Sequence, residues 1–269
     1  MTRLPGWVGG IVVVGTFLAL TWLERKRPLR KSVESKAVRE ARNLAIAGIG
    51  AASLALCENP VACPLARWSA RRRAGLLPAL RLSAWLETAA SVLLLDYTLY
   101  IWHVLTHKVP WLWRFHAVHH VDLDLDASTA IRFHFGELAQ SAAWRAAQIA
   151  GIGVSPLALS IWQTLVLVSI LFHHSNVRLS AENERRLCWI AVTPRMHGIH
   201  HSTRYNETDS NWSSGLSLWD RIHGTLKLEV PQEAITIGVP AFQTLPSVTL
   251  PRVLALPFRP PADWWAIRN

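Results

Sequence analysis

Apolar positions in this chain come in long runs. Trp7–Leu23 contains no charged residue, a little short of the about 20 residues that a bilayer requires. The block Glu24-Arg25-Lys26-Arg27-Pro28-Leu29-Arg30-Lys31 ends it. A cleaved leader would need a small-x-small site before that block, and there is none. The run therefore reads as a membrane span with its N-terminus outside and the basic block in the cytoplasm. Asn43–Cys57 and Leu82–Trp102 are further apolar stretches, and the second of these returns the chain to the cytoplasmic surface. Leu138–Val154 and Leu157–Phe172 follow, joined by Gly151-Ile152-Gly153-Val154-Ser155-Pro156, a turn signal. Such a hairpin leaves and re-enters the same face. From Leu179 the chain is mixed and polar, and beyond Leu226 it is rich in proline, which predicts a cap closed by an irregular tail.

Composition supports a membrane protein. Over the 269 residues 51% are hydrophobic and 14 are tryptophan, a residue that favours the membrane interface. The net charge of +10 is clustered beside the apolar runs, a pattern that suits anionic headgroups and argues against nucleic acid. Arg67, Arg71, Arg72 and Arg73 break the simple charge rule and read as an amphipathic interfacial segment. Cys57, Cys63 and Cys188 form neither a disulfide framework nor a thiolate metal site.

The chemistry lies in the histidines. They fall into His103-x-x-x-His107, His116-x-x-His119-His120 and His197-x-x-His200-His201. Residues three and four apart are neighbours on a helix surface, so each block is expected to present its rings on one face. Facing imidazoles suit a transition metal, and eight of them suit two ions. The apolar hairpin brings His173 and His174 back to the same surface. Asp96, seven residues before His103 on the same face, is placed to accept a ring N–H from a ligand histidine. The bland alternative for His103 and His107 alone is an interfacial pair. Two matching H-x-x-H-H blocks have no comparable packing explanation.

These blocks, together with Thr129-Ala130-Ile131-Arg132-Phe133-His134-Phe135-Gly136-Glu137, His174-Ser175-Asn176, Thr193-Pro194-Arg195-Met196-His197 and Leu218-Trp219-Asp220-Arg221-Ile222-His223-Gly224-Thr225, resemble the fatty acid hydroxylase and sterol desaturase superfamily of integral-membrane di-iron oxygenases. The likeness covers about Asp96 to Thr225. It implies an all-α, multi-pass transmembrane bundle under a cytosolic helical cap that holds two iron ions and uses O2. Carried over residue by residue, the implied ligands are His103, His107, His116, His119, His120, His174, His197, His200 and His201. His173 would point elsewhere. His134 and Glu137 match an arginine-histidine-x-x-glutamate element and belong near the metals or the substrate. Asn176 and Asp220 orient histidines or fix the cap, with an ion pair to Arg221 or Arg195 an equal alternative for Asp220. Phe135 stands where family members often have proline, and His223 where they often have phenylalanine. His223 reads as a cap residue.

The resulting division is 1–80 for the N-terminal transmembrane helices and basic loop, 81–225 for the catalytic domain, and 226–269 for the tail. A lipid is expected to enter sideways from the bilayer and be hydroxylated, or desaturated at the same site. No haem motif is present, so electrons are expected from a separate ferredoxin, rubredoxin or cytochrome b5 type donor. The expected location is a bacterial inner membrane or an endoplasmic reticulum, with the site facing the cytoplasm. A zinc hydrolase with Glu137 as base is the rival enzyme class, although such sites use few histidines. A non-catalytic protein that merely retains the fold is the third reading, and the complete set of blocks argues against it.

Overall fold

A computed structural model describes residues 5–259, among which there is no strand, only helices, turns and three isolated bridges. Four helical stretches are long and apolar enough to cross a bilayer: α1 (Gly6–Lys26), the run Lys36–Ala79, α5 (Ala84–Lys108) and α8 (Pro156–His174). The second run comprises α2 (Lys36–Ser53), a π turn at Leu54–Glu58, α3 (Asn59–Arg72) and α4 (Leu76–Ala79). The molecule is an integral membrane protein with a helical bundle. Between α5 and α8 lie α6 (Pro110–His120) and α7 (Phe135–Ile152), and after α8 come α9 (Ala181–Leu187), α10 (Pro194–His200), α11 (Tyr205–Thr208), α12 (Leu218–Ile222) and α13 (Leu250–Ala255).

The expected elements reappear with three informative differences. The helix expected at Asn43 begins at Lys36, because Arg39 and Asn43 are buried and paired with the loop after the second histidine block rather than left at a lipid surface. The arginine segment 67–73 is part of helix α3, which buries Ala62, Ala66 and Ser69. It ends at Arg73 in a left-handed conformation, φ 50°. The hairpin α7–α8 forms, yet α7 is not among the four stretches long and apolar enough to cross a bilayer. Its Arg145 stacks on Trp162 at 4.1 Å and lies 3.7 Å from Glu58, and the π turn delivers Glu58 to that position.

Leu95, Ile149, Ala158, Leu159, Trp162 and Val166 form the apolar interior of the bundle. At the end away from the histidines, Gly75 (φ 110°) meets Gly153 (φ 87°) so closely that a Cβ on Gly75 would lie 2.4 Å from the Gly153 Cα. Only glycine supplies both the backbone geometry and the room there. At the histidine end the tail is less irregular than its prolines suggest. It folds into 3-10 turns and α13, and packs Val239, Val248, Val253 and Leu256 on Ala117, Val118 and Val121 of α6 and its C-terminus. The end of that tail, residues 260–269, lies outside the described residues.

Candidate metal centre

Helix termini build the site. The C-terminal turns of α5 and α8 supply His103, His107 and His174, while the short helices α6 and α10 supply the two H-x-x-H-H blocks. Both short helices start at a proline in their first turn, where no N–H is lost. In α10 the Thr193 side chain also caps the start by accepting from Met196 N–H.

The rings converge in two groups. His103, His107, His116, His120 and His200 form one, and His119, His174, His197 and His201 the other, with the possible ligand atoms of each group within 4.8 Å of one another. Each H-x-x-H-H block is thus shared between groups, rather than presented on one face as the spacing alone suggests. At 3.6 residues per turn, positions i and i+4 differ by about 40° and position i+3 lies about 60° to the other side. So His116 and His120 stay together while His119 crosses over. His197 and His201 stay together while His200 crosses the opposite way.

Partners on the outer ring nitrogens fix several orientations. The Nδ1–H groups of His103, His174 and His200 donate to the carbonyls of Trp212 (2.7 Å), Ile170 (2.8 Å) and Ser210 (2.8 Å), and that of His116 donates to Glu137 Oε1 at 2.7 Å. Each such bond leaves the Nε2 lone pair facing inward. In the four-membered group the Nε2 atoms stand 2.9 Å (His119 to His174), 3.0 Å (His174 to His197) and 3.1 Å (His197 to His201) apart. Metal bonds of about 2.1 Å meeting at right angles hold donors about 3 Å apart. In the other group, Nε2 of His107, His116 and His200 and both nitrogens of His120 are buried without any protein partner. Unpaired buried polar atoms are costly, and a cation at each group's centre would satisfy them. Burial, reinforced by the neighbouring imidazoles, pushes His119, His120, His197 and His201 well below the ordinary histidine range, and His200 to about 3. Burial thus favours the neutral form of these five rings, the form in which an imidazole can bind a metal.

The other expected site residues lie one step out. Asp96 does not reach a histidine: seven residues are about 10 Å of helix rise from His103. It accepts instead from Trp219 Nε1–H (2.7 Å) and Leu216 N–H (3.0 Å). His134 is also outside both groups. It caps α7 by accepting from Gly136 N–H (3.0 Å) and donates from Nε2 to the Leu254 carbonyl (3.1 Å), so both ring nitrogens are used. Asn176 exchanges hydrogen bonds with the Arg30 backbone and fastens the loop after α1 to the end of α8. Asp220 has no ion pair among the described residues. Its buried carboxylate accepts the N–H groups of Trp212 (2.9 Å) and Ser213 (3.0 Å), and so holds the strand of loop whose Trp212 carbonyl orients His103. His173 is buried against His197, ring centroids 4.1 Å apart, outside both groups. His223 stacks on Tyr100 of α5, ring centroids 4.9 Å apart.

A buried charge cluster that the sequence reading missed supports the second block. Asp122, Asp124 and Asp126 follow His120 directly, and Arg39 of α2 reaches all three carboxylates. Asn43 and Thr129 also bond Asp122. Arg132 donates to the Val118 carbonyl and to Asn43. Burial opposes ionisation of Asp122, but Arg39 and Arg132 outweigh it and carry the carboxyl down to about 2. The Asp-x-Asp-x-Asp spacing was the available signal. On the other block, the Arg30 guanidinium lies over Gly198 and donates to the Pro194 carbonyl (2.7 Å) and Gln232 (2.6 Å).

The family described as "Fatty acid hydroxylase" matches residues 88–225, a stretch containing all nine rings of the two groups. Among curated proteins, a cholesterol 25-hydroxylase-like protein of Danio rerio is 31% identical over 152 residues, covering 53% of this chain and 56% of its own length. Ornithine lipid hydroxylase OlsE of Rhizobium tropici is 30% identical over 154 residues, covering 57% and 45%. The alkylglycerol monooxygenase of Homo sapiens is 31% identical over 151 residues, covering 54% and 31%. The chain spans about half the length of the first of these relatives and less of the others. No solved structure matches it. Ordered histidine blocks, a membrane bundle and a family match over more than half its length together establish that the chain belongs to the fatty acid hydroxylase family.

Proposed function

We propose that this protein is a membrane-bound, O2-dependent di-iron oxygenase that hydroxylates a C–H bond of a lipid, with His103, His107, His116, His120 and His200 holding one iron and His119, His174, His197 and His201 the other. The observation that supports this most directly is the convergence of nine imidazoles in two groups. Imidazole suits iron, and catalytic zinc sites use about three protein ligands. Bound there, a reduced iron pair would activate O2 and so supply the oxidising power toward an unactivated C–H bond. The chain's own part is to position and to exclude. Glu137, Trp212, Ser210 and Ile170 fix ring tautomers and directions. The buried surroundings keep water from the reacting carbon, and the bundle admits a lipid laterally, with its reactive carbon at the histidine end.

The relatives are named for a sterol, an ornithine lipid and an alkylglycerol, which supports lipid hydroxylation without selecting a substrate. Desaturation at the same site is the second reading. The histidine end faces the cytoplasm of a bacterial inner membrane or of an endoplasmic reticulum, where a separate electron donor docks. Metal analysis of the purified protein combined with lipid profiling of cells with and without the gene tests this. Two irons per chain and a product gaining one oxygen are expected. Loss of two hydrogens moves the reaction to desaturation, and zinc with ester or amide cleavage under anoxic conditions refutes the oxygenase.

A further inference from the structure

Among the nine imidazoles His107 is the most exposed. Its ring sits between two indoles, 5.1 Å from Trp113 and 6.3 Å from Trp212 by centroids. Trp212 is 5% exposed, yet it lies directly beneath a surface patch. The Lys108 ammonium is 5.4 Å from the Trp212 ring and 5.8 Å from that of Tyr205. Lys108 has a side chain 46% exposed and Tyr205 is 57% exposed. The charges around this patch are layered. Arg204 reaches outward at 64% exposure while its partner Glu207 is at 6%, Asp209 is tucked under Lys108, and Lys227 anchors on the Asn206 carbonyl. The outer layer is cationic and the acids lie inside it. A surface of this kind attracts an acidic protein at long range and releases it readily.

We propose that electrons reach the five-histidine group through Trp212, from an acidic one-electron carrier protein docked over Lys108 and Tyr205. This rests on the oxygenase reading above and adds the place and polarity of the donor's contact. Each hydroxylation consumes O2, two electrons and two protons; one oxygen atom forms the new C–OH bond and the other leaves as water. Two carriers therefore each give up one electron in turn, which requires a small, short-lived contact rather than a permanent one. Electron tunnelling weakens steeply with distance, and the route from Tyr205 and Lys108 to His107 is bridged by a single indole. Trp113 flanks His107 from the side of the C-terminal tail, where it packs with the cluster around Val239 and Val253, away from the cationic layer.

The test is anaerobic stopped-flow reduction of the iron-loaded, full-length protein in nanodiscs by a pre-reduced soluble acidic [2Fe–2S] ferredoxin, with dithionite as a small reductant in parallel. Trp212→Leu is expected to lower the ratio of the ferredoxin rate to the dithionite rate, each taken per iron bound, at least tenfold, and Trp212→Phe to recover part of the loss. Lys108→Glu and Arg204→Glu are expected to raise the half-saturating ferredoxin concentration at least fivefold, with the difference shrinking at high salt. Trp113→Leu is expected to stay within twofold of the parent. Reduction of the Trp212→Leu protein at the parental rate overturns the proposal. So does equal slowing by both reductants, greater slowing by Trp113→Leu, or a parent that dithionite reduces and ferredoxin does not. A parent that binds no reducible iron overturns the oxygenase reading itself, and the electron route with it.

Discussion

Glu137 Oε1 and His116 Nδ1 are 2.7 Å apart, and the whole loop between the second histidine block and α7 lies between them in sequence. The carboxylate therefore couples the start of α7 to a ring of the five-membered group. Its other oxygen, Oε2, is buried without a partner.

Replacing that carboxylate tests the coupling. Glu137→Ala removes the acceptor that selects the His116 tautomer, and a loss of roughly 10–100-fold in iron affinity or activity is expected. Glu137→Gln keeps an accepting oxygen and is expected to lose less. Iron titration of the apoprotein measures both.

The division of the blocks makes a sharper test. His119→Ala leaves three rings in the smaller group, whereas His200→Ala leaves four in the larger. The first is expected to lower iron content from two per chain to about one, and the second to lower it less. Metal analysis on protein of equal helicity decides, and equal depletion by both variants contradicts independent groups.

Arg39 predicts the strength of the clamp behind the second block. It is 1% exposed among Asp122, Asp124 and Asp126. Removing one member of a buried charge network typically costs about 3–5 kcal/mol. Arg39→Ala is expected to lower the thermal midpoint in detergent and shed iron together, and Arg39→Lys to restore part of both.

The same cluster sets an acid limit. The Asp122 carboxyl is held below its ordinary range, at about 2, because Arg39 and Arg132 outweigh its burial. A depressed carboxyl contributes stability that is present above the unfolded value of about 4 and lost as pH falls through the folded one. The difference in thermal midpoint between the parent and Asp122→Asn is therefore expected to be constant from pH 7 to about 4 and to shrink as pH falls toward 2.

Arg30 and Gly198 give a pairwise test. A Cβ on Gly198 would lie 1.7 Å from the Arg30 guanidinium, so Gly198→Ala is expected to displace α10 and lower iron content. Adding Arg30→Ala makes room, and the double variant is expected to hold more iron than Gly198→Ala alone.

The spans were legible in the sequence wherever lipid contact demands an uninterrupted apolar run, as in Trp7–Leu23 and Leu157–Phe172. They were less legible where protein packs on protein. Helix α7 packs Arg145 and Gln148 against other helices, and α2 extends to Lys36 because Arg39 and Asn43 are solvated by aspartates instead of water. The nine rings were legible from spacing and resemblance, but their partition was not, because it depends on how α6 and α10 are rotated toward each other. Asp96 shows the same limit. A shared helical face establishes direction but not depth, and the carboxylate serves Trp219 about two turns below the rings.

Both groups draw rings from either side of the α7–α8 hairpin. The larger combines residues 103 to 120 with His200, and the smaller combines His119 with His174, His197 and His201. During synthesis, a chain that has emerged only as far as α9 therefore holds four rings of one group and two of the other. With the metal ligands proposed above, neither group would be complete until the bundle is inserted and α10 has left the ribosome, which would make metal capture a closing step of biogenesis rather than a nucleus for folding.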